Sequence, residues 1–149
     1  MAQVIIALAV VLVAVAAGLV LRRRQAVEVP TQPQYDVPAQ LDRADFAADA
    51  PWLVAVFSSA SCTTCADVVR KAQVLQTAQV AVVDVEFTAN RALHTKYDIK
   101  AVPIVAIADA DGVVRAGFTG PVSATDLWAA VAEARNPGSS PEPELGRPD

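Results

Sequence analysis

Trp52-Leu-Val-Ala-Val-Phe57-Ser-Ser-Ala-Ser-Cys62-Thr-Thr-Cys65 is the stretch on which the reading of this chain turns. Trp52 to Phe57 is an apolar run of strand length, bounded by Pro51 and by a serine cluster. Apolar residues that do not alternate with polar ones predict a strand covered on both faces. Ala66 to Ala78 has the composition of a helix. Both cysteines therefore fall where a buried strand passes into a helix.

That position gives the C-x-x-C spacing its chemistry. The first turn of a helix has unpaired amides and the positive end of the macrodipole, and both stabilise a thiolate. Cys62 is nearest that end and is expected to face solvent and attack a disulfide. Cys65, one turn later, would resolve the mixed disulfide. These are the chain's two cysteines. A ring closed between them removes little chain entropy, so a purely structural pair is the weaker reading. A zinc half-site would need two further ligands, and His94 is the single histidine. His94 falls in a helix expected at Thr88 to Tyr97, on its solvated side. No metal and no organic cofactor is implied.

Outward from the cysteines, Leu41 to Asp49 reads as a short helix with Leu41 and Phe46 available to bury. Val80 to Phe87 reads as a second strand. Ile104 to Ala108 and Val113 to Thr119 flank Asp109-Ala-Asp-Gly112, a hairpin signal. Ser123 with Asp126 can cap a last helix through Arg135, whose Leu127, Trp128 and Val131 face inward. Trp52 and Trp128 are expected in the core. The first crossover predicts a parallel strand pair and the hairpin an antiparallel addition, giving a mixed sheet of about four strands flanked by helices. Pro103 interrupts Ala101-Val-Pro-Ile-Val-Ala-Ile107. A proline cannot donate to a strand ladder, so it marks the strand's start or a special backbone geometry. A cis Val102–Pro103 bond and a trans edge proline both fit.

The termini read differently. Val4 to Leu21 is an unbroken run of eighteen Val, Ile, Leu, Ala and Gly residues. As a helix it would extend about 27 Å, close to the hydrocarbon thickness of a bilayer. Met1 to Gln3 carry no basic side chain, and Arg22, Arg23 and Arg24 come after the run, so an uncleaved anchor is expected rather than a signal peptide. The arginines favour a cytoplasmic location for the domain on their C-terminal side. The expected organisation is an anchor over 1–21, a basic and Pro-rich linker over 22–40, a domain over 41–135 and a Pro- and Glu-rich disordered tail over 136–149. The formal charge is −4; without the three arginines, nine basic residues face sixteen acidic ones, a balance of −7. That sign repels nucleic acid and anionic headgroups from the soluble part.

A buried strand leading into C-x-x-C, a further helix and strand, then a proline opening a hairpin followed by a helix resembles the thioredoxin superfamily. The resemblance spans about Asp42 to Arg135. It implies a thioredoxin-like α/β fold, a cis Pro103 facing the cysteines, and a groove in which Val102 pairs with an extended substrate segment. It also implies that Gly120, after the last strand, lets substrate backbone approach. Three departures stand out. Ser61 replaces the family's tryptophan before the first cysteine, and Thr63-Thr64 replaces its Gly-Pro. Val56 stands before Phe57 where thioredoxins bury an aspartate that moves the resolving cysteine's proton. The family's spacing from Pro103 puts Asp84 where a lysine is usual. Asp84 is thus a candidate proton acceptor behind Cys65, with a plain surface aspartate as the alternative.

The function implied is a membrane-tethered thiol–disulfide oxidoreductase, acting as a reductase on protein disulfides and recharged by an unidentified electron donor. Two alternatives remain open: an extracytoplasmic reductase for exported or apocytochrome thiols, and a non-catalytic thioredoxin-like binding module.

Overall fold

The computed structural model describes residues 36–139. The anchor expected at Val4 to Leu21, the arginines behind it and the tail beyond Ser139 lie outside the described residues. Among those described, no helix is long and apolar enough to cross a membrane.

After a 3₁₀ turn at Arg43–Asp45, the elements are β1 (Trp52–Ser58), α1 (Cys65–Gln73), β2 (Val80–Glu86), α2 (Arg91–Lys96), β3 (Ile104–Ala108), β4 (Val114–Thr119) and α3 (Ala124–Arg135). They form one four-stranded sheet in the order β2-β1-β3-β4. β1 runs parallel to β2, with Trp52 opposite Val80 and Ser58 opposite Glu86. β3 is antiparallel to both β1 and β4, and a bulge interrupts its pairing with β4 at Ile107/Ala108. This is the mixed sheet that the strand and hairpin pattern predicts.

β1 is apolar throughout because it is central and covered on both sides. On one face Leu53, Ala55 and Phe57 pack with Ile104, Ala106, Leu41 and Phe46. On the other, Val54, Val56, Val105 and Ile107 meet Val68 and Ala72 of α1 and Leu127 and Val131 of α3. Phe57 is fully buried, with His94 and Tyr97 edge-on to its ring. Truncating so large a buried ring costs about 3–5 kcal/mol, which makes Phe57 the side chain that ties β1 to α2. β4, at the sheet's edge, alternates half-buried and exposed residues, as expected of a strand with one covered face.

Local chemistry sets the element ends. Ser123 Oγ accepts the Asp126 N–H at 3.1 Å and donates to the Asp126 carboxylate at 2.7 Å, capping α3. In the β3–β4 turn, Asp109 Oδ1 accepts from the N–H groups of Asp111 and Val113, both at 3.0 Å. Gly112 sits there at φ 79°, a conformation open to glycine because it lacks a Cβ. α1 stops at Gln73, short of the expected Ala78. Thr77 Oγ1 takes the N–H groups of Gln79 and Val80, and the Gln76 side chain takes that of Val82. Such side chains compete with the helix ladder.

Other expectations change as well. His94 is buried, not solvated: its Nε2 is 2.7 Å from the Val85 carbonyl, and its ring lies edge-on to Phe57 and Phe87. Trp128 is 42% exposed rather than in the core, with Nε1–H donating to the Lys71 carbonyl at 3.2 Å; Trp52 is half-buried at the margin of the cluster that holds Val54 and Val56. The end of the Pro-rich stretch is no loose tether. Gln40 bridges Val113, Val114 N–H donates to the Ala39 carbonyl at 3.0 Å, and Val37 lies against Gly117.

Candidate functional site

The C-terminal ends of β1 and β2 carry the site. The Phe87 N–H donates to the Ser58 carbonyl at 2.9 Å, which joins the two strand ends. The chain then turns through Ser59 to Thr64 before α1 begins at Cys65. Among the contacts that hold this turn, Cys62 N–H donates to the Ser59 carbonyl at 3.0 Å, and Ala60 N–H donates to Glu86 Oε1 at 3.2 Å. Glu86 Oε2 also accepts from Ala89 N–H at 3.0 Å. The amides of Ala89, Thr88 and Ala60 hold the Glu86 carboxyl below its ordinary range, so it stays ionised as a clamp between two turns.

Cys62 and Cys65 form a disulfide, with Cα atoms 5.4 Å apart. Cys65 is buried at 2% exposure and Cys62 is partly open. Three groups surround the Cys62 sulfur: the Cys65 N–H at 3.2 Å, the Thr64 hydroxyl at 3.5 Å and the Val102 carbonyl at 3.9 Å. A disulfide sulfur carries no proton, so the first two donate to it and the Val102 oxygen is in contact only. On reduction the same donors would face a thiolate, and hydrogen bonds to a charged form favour that form.

The Val102–Pro103 peptide bond is cis, and Pro103 is buried at the start of β3. The Pro103 carbonyl accepts the Gly120 N–H at 2.8 Å, setting the glycine beside the cis bond. Gly120 has φ 82°, and a Cβ built there would meet nothing within 4 Å. Cys62, Cys65, Val102, Pro103 and Gly120 are therefore linked through successive contacts.

Asp84 lies on β2 opposite Val56, on the sheet face covered by α1. It is exposed, and Ser58 Oγ donates to its Oδ1 at 2.5 Å. An open cavity of about 300 Å³ is lined by both of them and by the disulfide, with Ser58, Cys62, Cys65, Arg70, Asp84 and Glu86 in its wall. Sequence reasoning singles out Asp84 and notes Thr64 as a departure from the family's Gly-Pro, without a role, but passes over Ser58 and Glu86. Thr64 is visible as part of the C-x-x-C motif; Ser58 and Glu86 acquire meaning only once the β1–β2 register is known. Among the described residues no three His, Cys, Asp or Glu side chains gather as metal ligands.

The strand order, the disulfide at the start of α1 and the cis proline at the start of β3 define a thioredoxin-like fold. Among solved structures, a mutant thioredoxin from Halobacterium salinarum NRC-1 is similar at 22% identity and a TM-score of 0.53, covering 68% of this chain and 96% of that one. A malarial protein is similar at 20% identity and a TM-score of 0.50, covering 56% of this chain and 96% of the other. No protein-family model and no curated protein sequence matches the chain.

Proposed function

We propose that the chain is a thiol–disulfide oxidoreductase that reduces protein disulfides through Cys62 and Cys65. The observation that carries this reading is the surroundings of the Cys62 sulfur. It has an amide donor at 3.2 Å on one side and, at 3.9 Å on the other, the carbonyl that precedes a cis proline.

In the reduced protein the Cys62 thiolate attacks one sulfur of a substrate disulfide. That S–S bond breaks, the first substrate thiolate leaves, and a Cys62–substrate mixed disulfide forms. The Val102 backbone pairs with the extended substrate segment, and Gly120 gives its main chain room. Asp84 accepts the proton of Cys65 across the cavity. The Cys65 thiolate then attacks the Cys62 sulfur and expels the second substrate thiolate, which takes up a proton. Two electrons have moved from the dithiol to the substrate, leaving the Cys62–Cys65 disulfide for an external electron donor to reduce. No metal or organic cofactor enters these steps.

The reading includes a tether to the cell membrane through Val4 to Leu21, with the thiol domain on the cytoplasmic side. Holding the domain there would raise its local concentration for membrane-associated disulfides. Insulin reduction by the full chain tests the activity: turnover is expected, and Cys62→Ser should be silent. Equal turnover in that variant would overturn the proposal. A reporter that works on one side of the membrane alone, fused after Asp149, tests the orientation.

A further inference from the structure

We infer that Ser58 is a positioning residue that aims the Asp84 carboxylate into the cavity behind Cys65, so that the two act as one proton-accepting unit. This rests on the thiol–disulfide reading above. A buried hydroxyl needs a hydrogen-bond partner, and Ser58, 4% exposed, finds it in Asp84. Asp84 itself is exposed and sits on a strand at the sheet's edge. Left alone, such a side chain would spread over several rotamers, many pointing into bulk water. The Ser58 hydroxyl holds it beside the wall that Cys65 shares. Val56, directly opposite Asp84, supplies no ionisable group, so the acid–base function on this face falls to the pair.

The other charged groups of the cavity are otherwise engaged. Glu86, on the same strand, has its oxygens on the amides of Ala60 and Ala89. Arg70, from α1, is paired with Asp67. Cys62 and Cys65 are the remaining titratable groups in the wall. In the resolving step the Cys65 S–H proton passes to Asp84 Oδ, directly or through cavity water, and the freed electron pair attacks the Cys62 sulfur.

The test is the pH profile of insulin reduction by the full chain, together with the alkylation rate of reduced Cys62 in each variant. Ser58→Ala should lower turnover about tenfold near pH 7 and displace the acid limb of the profile, while Cys62 alkylation stays as in the parent. Ser58→Thr, which keeps the hydroxyl, should restore both. Ser58→Ala combined with Asp84→Asn should be no slower than Asp84→Asn alone, because the two act through one group. An unmoved acid limb in Ser58→Ala, or multiplying losses in the double variant, would overturn the role of Ser58. Should Ser58→Ala misfold, Asp84→Asn alone decides, since its side chain is exposed: a persisting acid limb sinks the unit. Absence of cysteine-dependent turnover in the parent is a different result, and removes the underlying reading as well.

Discussion

The backbone N–H of Cys65 points at the sulfur of Cys62, 3.2 Å away, so the buried cysteine's own amide serves the exposed one. In the reduced protein that donor and the Thr64 hydroxyl should hold Cys62 below the free-thiol value of about 8.5. Iodoacetamide trapping across pH is expected to give a midpoint under that value for Cys62 and slow reaction at Cys65. Thr64→Val should raise the Cys62 midpoint by a few tenths of a unit. A parent midpoint at or above 8.5 would mean that the helix start does not activate the thiol.

Acid should unfold the domain partly through Asp45. Its carboxylate accepts from Lys96 Nζ at 2.7 Å and from the Tyr97 hydroxyl, and both lower its pKa. A carboxyl depressed in the folded state contributes stability above its unfolded value of about 3.9, and that contribution fades as pH falls through the folded value. The Tm of the parent should therefore drop more steeply below about pH 4 than that of Asp45→Asn. Parallel Tm curves would show that the cluster contributes nothing.

Two glycines with similar backbone should respond differently to alanine. At Gly112, φ 79°, a Cβ would lie 1.9 Å from the Leu41 carbonyl oxygen. Gly112→Ala should cost on the order of 3 kcal/mol in urea unfolding, since strain and clash add. At Gly120, φ 82°, nothing stands within 4 Å. Gly120→Ala should cost about 1 kcal/mol. It should slow reduction of insulin more than that of a small disulfide such as dithionitrobenzoate, because an extended main chain needs the vacant space. Equal slowing would remove Gly120 from the groove.

Replacing His94 tests its burial. His94→Leu keeps the volume roughly but leaves the Val85 carbonyl without its ring donor, at about 2 kcal/mol. The Cys62 midpoint should not move, since His94 packs on the Phe57 side of the sheet and α1 covers the other. A shifted midpoint would tie His94 to the dithiol.

Physical range decides how much of the fold and the site is legible in the residues alone. β1, the hairpin and the proline at β3 depend on local pattern, so apolar run length, Asp-Gly turn chemistry and the missing proline N–H report them. Trp128 escapes because α3 is rich in alanine, so its inward stripe is narrow and a tryptophan can lie along its margin with its N–H on Lys71. His94 escapes because the helix expected at Thr88 to Tyr97 is six residues, Arg91–Lys96, seated over Phe57. Ser58 looks like one serine of a boundary cluster. Its pairing with Asp84 spans 26 positions and exists only through parallel strand register, which no local pattern encodes.

The strap formed by Val37 to Gln40 has a practical consequence for anyone trimming the protein. β4 is an outer strand, and outer strands with free main-chain groups invite pairing with other molecules. Beginning the chain at Leu41 would strip the cover from Gly117 and remove the Ala39 carbonyl that receives Val114. Such a fragment should self-associate through β4 in gel filtration, whereas one beginning before Asp36 should run as a monomer.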